Sequence, residues 1–64
     1  MTYLEAIIIN RSVETALSFG TSITAHAKDC LIEEGYPWTE EHEGYALAVA
    51  LEIDEEWRRE CNND

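Results

Sequence analysis

Apolar residues recur at three- and four-residue steps along most of this chain. Val13, Ala16 and Leu17 keep that rhythm, as do Ile23, Ala27, Cys30 and Leu31. Later, Ala46, Val49, Ala50, Ile53 and Trp57 fall on one stripe, with Leu47 and Leu51 widening it and Glu41, Glu52, Glu55 and Arg59 on the opposite side. Such spacing is what a helix needs to bury one face. Tyr45, Leu47, Val49, Leu51 and Ile53 also alternate as a strand would, but the alanines between them are poor strand formers and good helix formers. The last third therefore reads as helix from about residue 40 to residue 60.

The N-terminal pattern is ambiguous. Thr2 and Glu5 have the spacing of a capping box, which favours a helix start. The run Ile7-Ile8-Ile9 that follows is β-branched and equally suits a strand. Helix is the preferred reading, and a small α+β domain with residues 4–9 as a strand is its alternative. From Ser12 the helical rhythm resumes. Gly20 interrupts it, and Thr21 and Ser22 offer new caps, so one long helix and two shorter ones are both open.

The boundary that follows is sharper. In Glu34-Gly35-Tyr36-Pro37 a glycine comes just past the last periodic residue and a proline two further on, the order of a helix stop. Thr39 then supplies an N-cap, with Glu40 and Glu41 in the first turn where the helix dipole favours negative charge. These signals predict an all-α fold: a small helical hairpin or three-helix domain turning at residues 35–38, with the N-terminal segment packed across it. Gly20, Ala27, Ala46 and Ala50 are the positions expected to let helices approach closely.

Length adds a constraint. A single domain of 64 residues buries a small share of its surface and is marginal without help from disulfides, metals, oligomerisation or unusually good packing. Residues 44–53 carry one charge, Glu52, which leaves more apolar surface than one short helix covers. A homodimer is the expectation. No apolar run reaches the roughly 18 residues of a membrane-spanning helix, and the N-terminus has no basic leader, so a cytoplasmic location with Cys30 and Cys61 reduced is expected.

Charge changes the picture most. Fourteen acidic residues against four basic ones give a formal net charge of −10. Residues 1–32 hold three acids and two bases, whereas residues 33–64 hold eleven acids and two bases. Contacts to nucleic acid and to anionic membranes are built from Lys and Arg, so this balance argues against both. It favours a basic protein partner instead.

Candidate chemistry is sparse. His26 and His42 lack a serine or cysteine at a spacing that would make a nucleophile-and-base pair. His26 and Cys30 are four residues apart and read as a surface histidine beside a core thiol. The Glu-x-x-His motif of helical di-metal sites is missing, since Thr39 precedes His42 and Ile23 precedes His26 at that spacing. Glu40-Glu41-His42-Glu43 reads as a solvated first turn rather than a metal site. No catalytic residue, metal or cofactor is assigned.

What remains is a row of carboxylates and a pair of turn aromatics. Glu40, Glu41, Glu43, Glu52, Asp54, Glu55, Glu56 and Glu60 dot the last helix over roughly 30 Å at 1.5 Å per residue. Spaced negative charge on a rigid rod competes with DNA for a basic channel. Asp54–Arg58 and Glu55–Arg59 are expected to form four-residue pairs that partly neutralise its end. Trp57 is assigned to the core. Tyr36 and Trp38 flank Pro37 at the turn, where aromatics serve either as core plugs or as interface anchors.

The expected function is a non-catalytic, protein-binding regulator or inhibitor that docks its acidic helix on a basic, nucleic-acid-handling protein. The partner-binding set is Glu40, Glu41, Glu43, Glu52, Asp54, Glu55, Glu56, Tyr36 and Trp38. Phage-encoded inhibitors of host defence or transcription offer an analogy of size and charge, not of sequence. The rival expectation is a homodimeric structural module whose charge serves solubility.

Overall fold

The computed structural model describes residues 1–61. They form three helices: α1 from Tyr3 to Phe19, α2 from Ile23 to Glu33 and α3 from Glu40 to Cys61. Among the described residues there is no strand, so the α+β alternative for residues 4–9 falls away. The isoleucine run is helical because tertiary burial overrides its β-propensity: Ile9 is fully buried, and Ile8 packs against the core beside it.

The N-terminal segment is not a short piece lying across a hairpin. α1 runs unbroken through Asn10-Arg11-Ser12 for 17 residues. Two side-chain bonds support the polar stretch from within: the Ser12 hydroxyl donates to the Ile8 carbonyl at 2.7 Å, and the Asn10 amide donates to Ala6 at 2.8 Å. Met1, Glu5 and Asn10 face Glu41, His42 and Tyr45 in that order, so α1 and α3 run parallel. α2 must then run antiparallel to both.

The break between the first two helices is set at Gly20. Its φ of 72° is left-handed, and the amides of Gly20 and Thr21 both return to the Ala16 carbonyl, closing the helix. Gly20 therefore ends a helix and is exposed, rather than serving as a close-approach point between helices. Ser22 caps α2, accepting from the Ala25 amide. At its far end the Tyr36 amide reaches Leu31 and the Gly35 amide reaches Ile32, a Schellman closure made possible by φ 91° at Gly35.

The core is thin. Its buried apolar residues are Ile9, Val13, Ala16, Ala27, Leu31, Ala46, Val49 and Ala50, and half of these are alanine. Ile53, Leu17, Ile23, Tyr36, Trp38 and Tyr45 pack around them. Trp57 is half-buried but does not pack against this cluster, contrary to its assignment as a core residue. Leu47 and Leu51 do not widen the buried stripe either; they are 48% and 69% exposed. A stripe centred on Ala46, Val49 and Ala50 already turns its full width to α1 and α2, which leaves the two leucines outside.

Candidate docking face and its anchor

α3 is fixed to α1 at its first turn, and His42 is the fixing residue. Expected in a solvated turn, it is instead 5% exposed. Its Nδ1 accepts the backbone N–H of Thr39 at 3.1 Å and lies 2.8 Å from the Thr39 hydroxyl. A backbone amide can only donate, so the ring hydrogen sits on Nε2, which donates to Glu5 Oε2 at 2.6 Å. His42 thus fills the place that Glu or Gln takes in a capping box, three residues after the Thr39 cap.

The same carboxylate belongs to the first turn of α1. The Thr2 hydroxyl accepts from the Glu5 amide at 3.3 Å, while the Glu5 side chain reaches across to α3. The hydrogen bond from His42 holds the Glu5 carboxyl below its ordinary 4.5, against the opposing effect of burial. Nearby, the Met1 ammonium meets Glu41 at 2.9 Å, and that bond raises the amino group above its ordinary 8.0. Asn10 and Tyr45 add a third tie, with the Asn10 amide donating to the Tyr45 hydroxyl at 2.6 Å.

Thr39, His42 and Glu5 line up as hydroxyl, imidazole and carboxylate, the order of an acyl-transfer relay. Nδ1 accepts from both groups of Thr39, the hydroxyl at 2.8 Å and the amide at 3.1 Å, so the hydroxyl hydrogen is held within the turn that opens α3. Sequence spacing alone did not reveal this group, because Glu5 comes from a different helix. Trp38 stacks on His42 with ring centroids 5.7 Å apart and the planes at 24°, shielding it from the solvent side.

Anchored at this end, α3 presents the expected partner-binding acids. Glu40, Glu41, Glu43, Glu52, Glu55 and Glu56 are exposed, and Asp54 is half-buried. Two of them are engaged: Glu41 with the Met1 ammonium, and Asp54 with Arg58 at 3.1 Å. The second expected pair, Glu55–Arg59, is not formed. At about 100° per residue, Glu41, Glu52, Glu55 and Glu56 share one flank of the exposed side, next to α1. Glu43 lies on the other flank, where it joins Thr24, Ala25, Lys28 and Trp38 around an open groove of about 440 Å³.

The turn aromatics are less available than an interface anchor would be. Tyr36 and Trp38 are both half-buried and pack against the core, although Trp38 still lines the groove. His26 Nε2 lies 3.8 Å from Cys30 Sγ, both groups half-buried, so these two do share a helix face. Cys30 and Cys61 are free thiols. Among the described residues no three of His, Cys, Asp and Glu gather closely enough to hold a metal ion, and no helix is long and apolar enough to cross a membrane. No protein-family profile, no curated protein and no solved structure matches the chain.

Proposed function

We propose that the protein is a non-catalytic binding module that docks the acidic flank of α3 on a basic, nucleic-acid-handling protein. The observation that carries this reading is the exposure of Glu41, Glu52, Glu55 and Glu56 along one side of a continuous 22-residue helix. A rigid rod with fixed carboxylates incurs little ordering cost on binding, so its charge is effective against a complementary groove. Three observations support its rigidity: the Schellman closure before the turn, the His42 ring that accepts the Thr39 amide, and the part-buried His42–Glu5 bond. Nucleic-acid-handling proteins are the class that offers a long basic channel, and DNA is the natural competitor there.

The test is competitive capture. Immobilised protein is exposed to cell lysate at low and high salt, beside a variant carrying Glu52→Lys, Glu55→Lys and Glu56→Lys together. The expected result is retention of basic proteins that duplex DNA displaces, that salt weakens, and that the triple variant fails to hold. Equal retention by the variant, or retention indifferent to DNA, would overturn the reading.

A further inference from the structure

Beside the acidic flank, α3 carries a second stripe that nothing in the monomer covers. Glu40, Gly44, Leu47, Leu51, Asp54 and Arg58 follow one another at steps of four, three, four, three and four. That is the a/d spacing of a coiled-coil seam. The stripe faces outward: Leu47 and Leu51 are 48% and 69% exposed, and a Cβ placed on Gly44 would meet nothing within 4 Å. A glycine inside a helix costs about 1 kcal/mol against alanine, and no contact within this chain requires one here.

The order of residues along the stripe identifies its occupant. Read backwards about position 49, the seam matches itself: Leu47 falls on Leu51, Gly44 on Asp54, and Glu40 on Arg58. An antiparallel pair of identical helices therefore stacks leucine on leucine twice at its centre and sets Glu40 against Arg58 at both ends. It also gives Asp54 the space left by the missing side chain at Gly44. A parallel pair would place Glu40 on Glu40, Asp54 on Asp54 and Arg58 on Arg58. We infer that this face of α3 binds a second copy of the chain, antiparallel, across a two-fold axis near position 49. Such self-complementarity is what an isologous interface demands and what a surface for a different partner does not.

Arg58 is 77% exposed, so it can keep Asp54 and still reach Glu40 of the second copy. The inference does not depend on the acidic-flank reading. Pairing takes Glu40 and Asp54 into the seam and leaves Glu52 and Glu56 pointing away, so the two surfaces meet only at Glu41 and Glu55. On the flank, Glu41 and Glu55 of opposing copies come near one another, and each copy carries a formal −10. Pairing should therefore strengthen as salt rises, the opposite of acidic docking on a basic partner.

Analytical ultracentrifugation of the purified chain, up to roughly 0.5 mM and at low and high salt, tests the inference without any partner. The expected species is a dimer favoured by salt. Leu47→Glu with Leu51→Glu should give a monomer of unchanged helix content, and Leu47→Ala with Leu51→Ala, a milder pair, should raise the dissociation constant at least roughly tenfold. Glu40→Arg should weaken the dimer several-fold, and adding Arg58→Glu to it should restore pairing. A chain that stays monomeric throughout would overturn the inference, as would a dimer indifferent to the leucines. Failure of the charge exchange to rescue would overturn the antiparallel register.

Discussion

The imidazole of His42 joins two helix ends at once: its Nδ1 takes the Thr39 amide that opens α3, and its Nε2 donates to Glu5 in the first turn of α1. Because that bond favours the charged carboxylate, Glu5 holds its proton less tightly in the folded chain than in the unfolded one. Its contribution to stability is complete above 4.5 and is lost as pH falls through the lowered value. Urea midpoints of the wild type and Glu5→Gln should differ by a constant amount above that pH and converge below it. A gap that persists unchanged in acid would show that the carboxylate charge is not what matters.

Thr39 should be chemically quiet despite its imidazole neighbour. Treatment with an activated acyl ester, followed by peptide mass spectrometry, is expected to leave its hydroxyl unmodified relative to exposed threonines such as Thr15. Selective acylation of Thr39, abolished by His42→Asn, would replace the capping account with a catalytic one.

Two glycines should respond to alanine with opposite signs. At Gly20 the left-handed φ of 72° makes a side chain strained, and Gly20→Ala should destabilise the fold by about 1–2 kcal/mol. Gly44 has ordinary helical geometry and open space around it, so Gly44→Ala should stabilise the isolated chain by about 1 kcal/mol. Chemical denaturation at low protein concentration distinguishes the two.

Leu31 is fully buried and Leu51 is mostly exposed, although both obey the helical rhythm. Leu31→Ala should cost about 2–5 kcal/mol, a large part of the stability of so small a domain. Leu51→Ala should shift the monomer by less than about 0.5 kcal/mol. A comparable loss at both positions in the thermal melt of dilute protein would mean that Leu51 is covered within a single chain.

What the residues disclosed in advance were local signals. The stop at Gly35 and the span of α3 follow from turn chemistry and periodicity, and the structure places them as expected, whereas the Thr39 hydroxyl turns to His42 instead of capping a backbone amide. Glu40, Glu41, Glu43, Glu52, Glu55 and Glu56 were legible as surface because carboxylates are rarely buried alone. Long-range pairing is not carried by such local signals. His42 sits between three glutamates in the sequence, and only the approach of Glu5 from 37 residues away gives the buried ring a carboxylate partner. Leu47 and Leu51 looked like core because periodicity reports that a stripe is apolar, not which of two apolar stripes the neighbouring helices occupy. The helical fate of residues 4–9 likewise depended on what Ile9 would meet.

The alanine-lined interior has a thermodynamic consequence. Where Ala27, Ala46 and Ala50 line the seams, larger side chains would wedge the helices apart, so the fold has little room to gain stability by enlarging its own core. The remaining source is mass action: any molecule that binds only the folded form raises its stability in proportion to the logarithm of that molecule's concentration. The melting temperature of this chain should therefore act as a gauge of occupancy. Every real ligand of α3, whether a second copy or a basic protein, should announce itself by moving it upward.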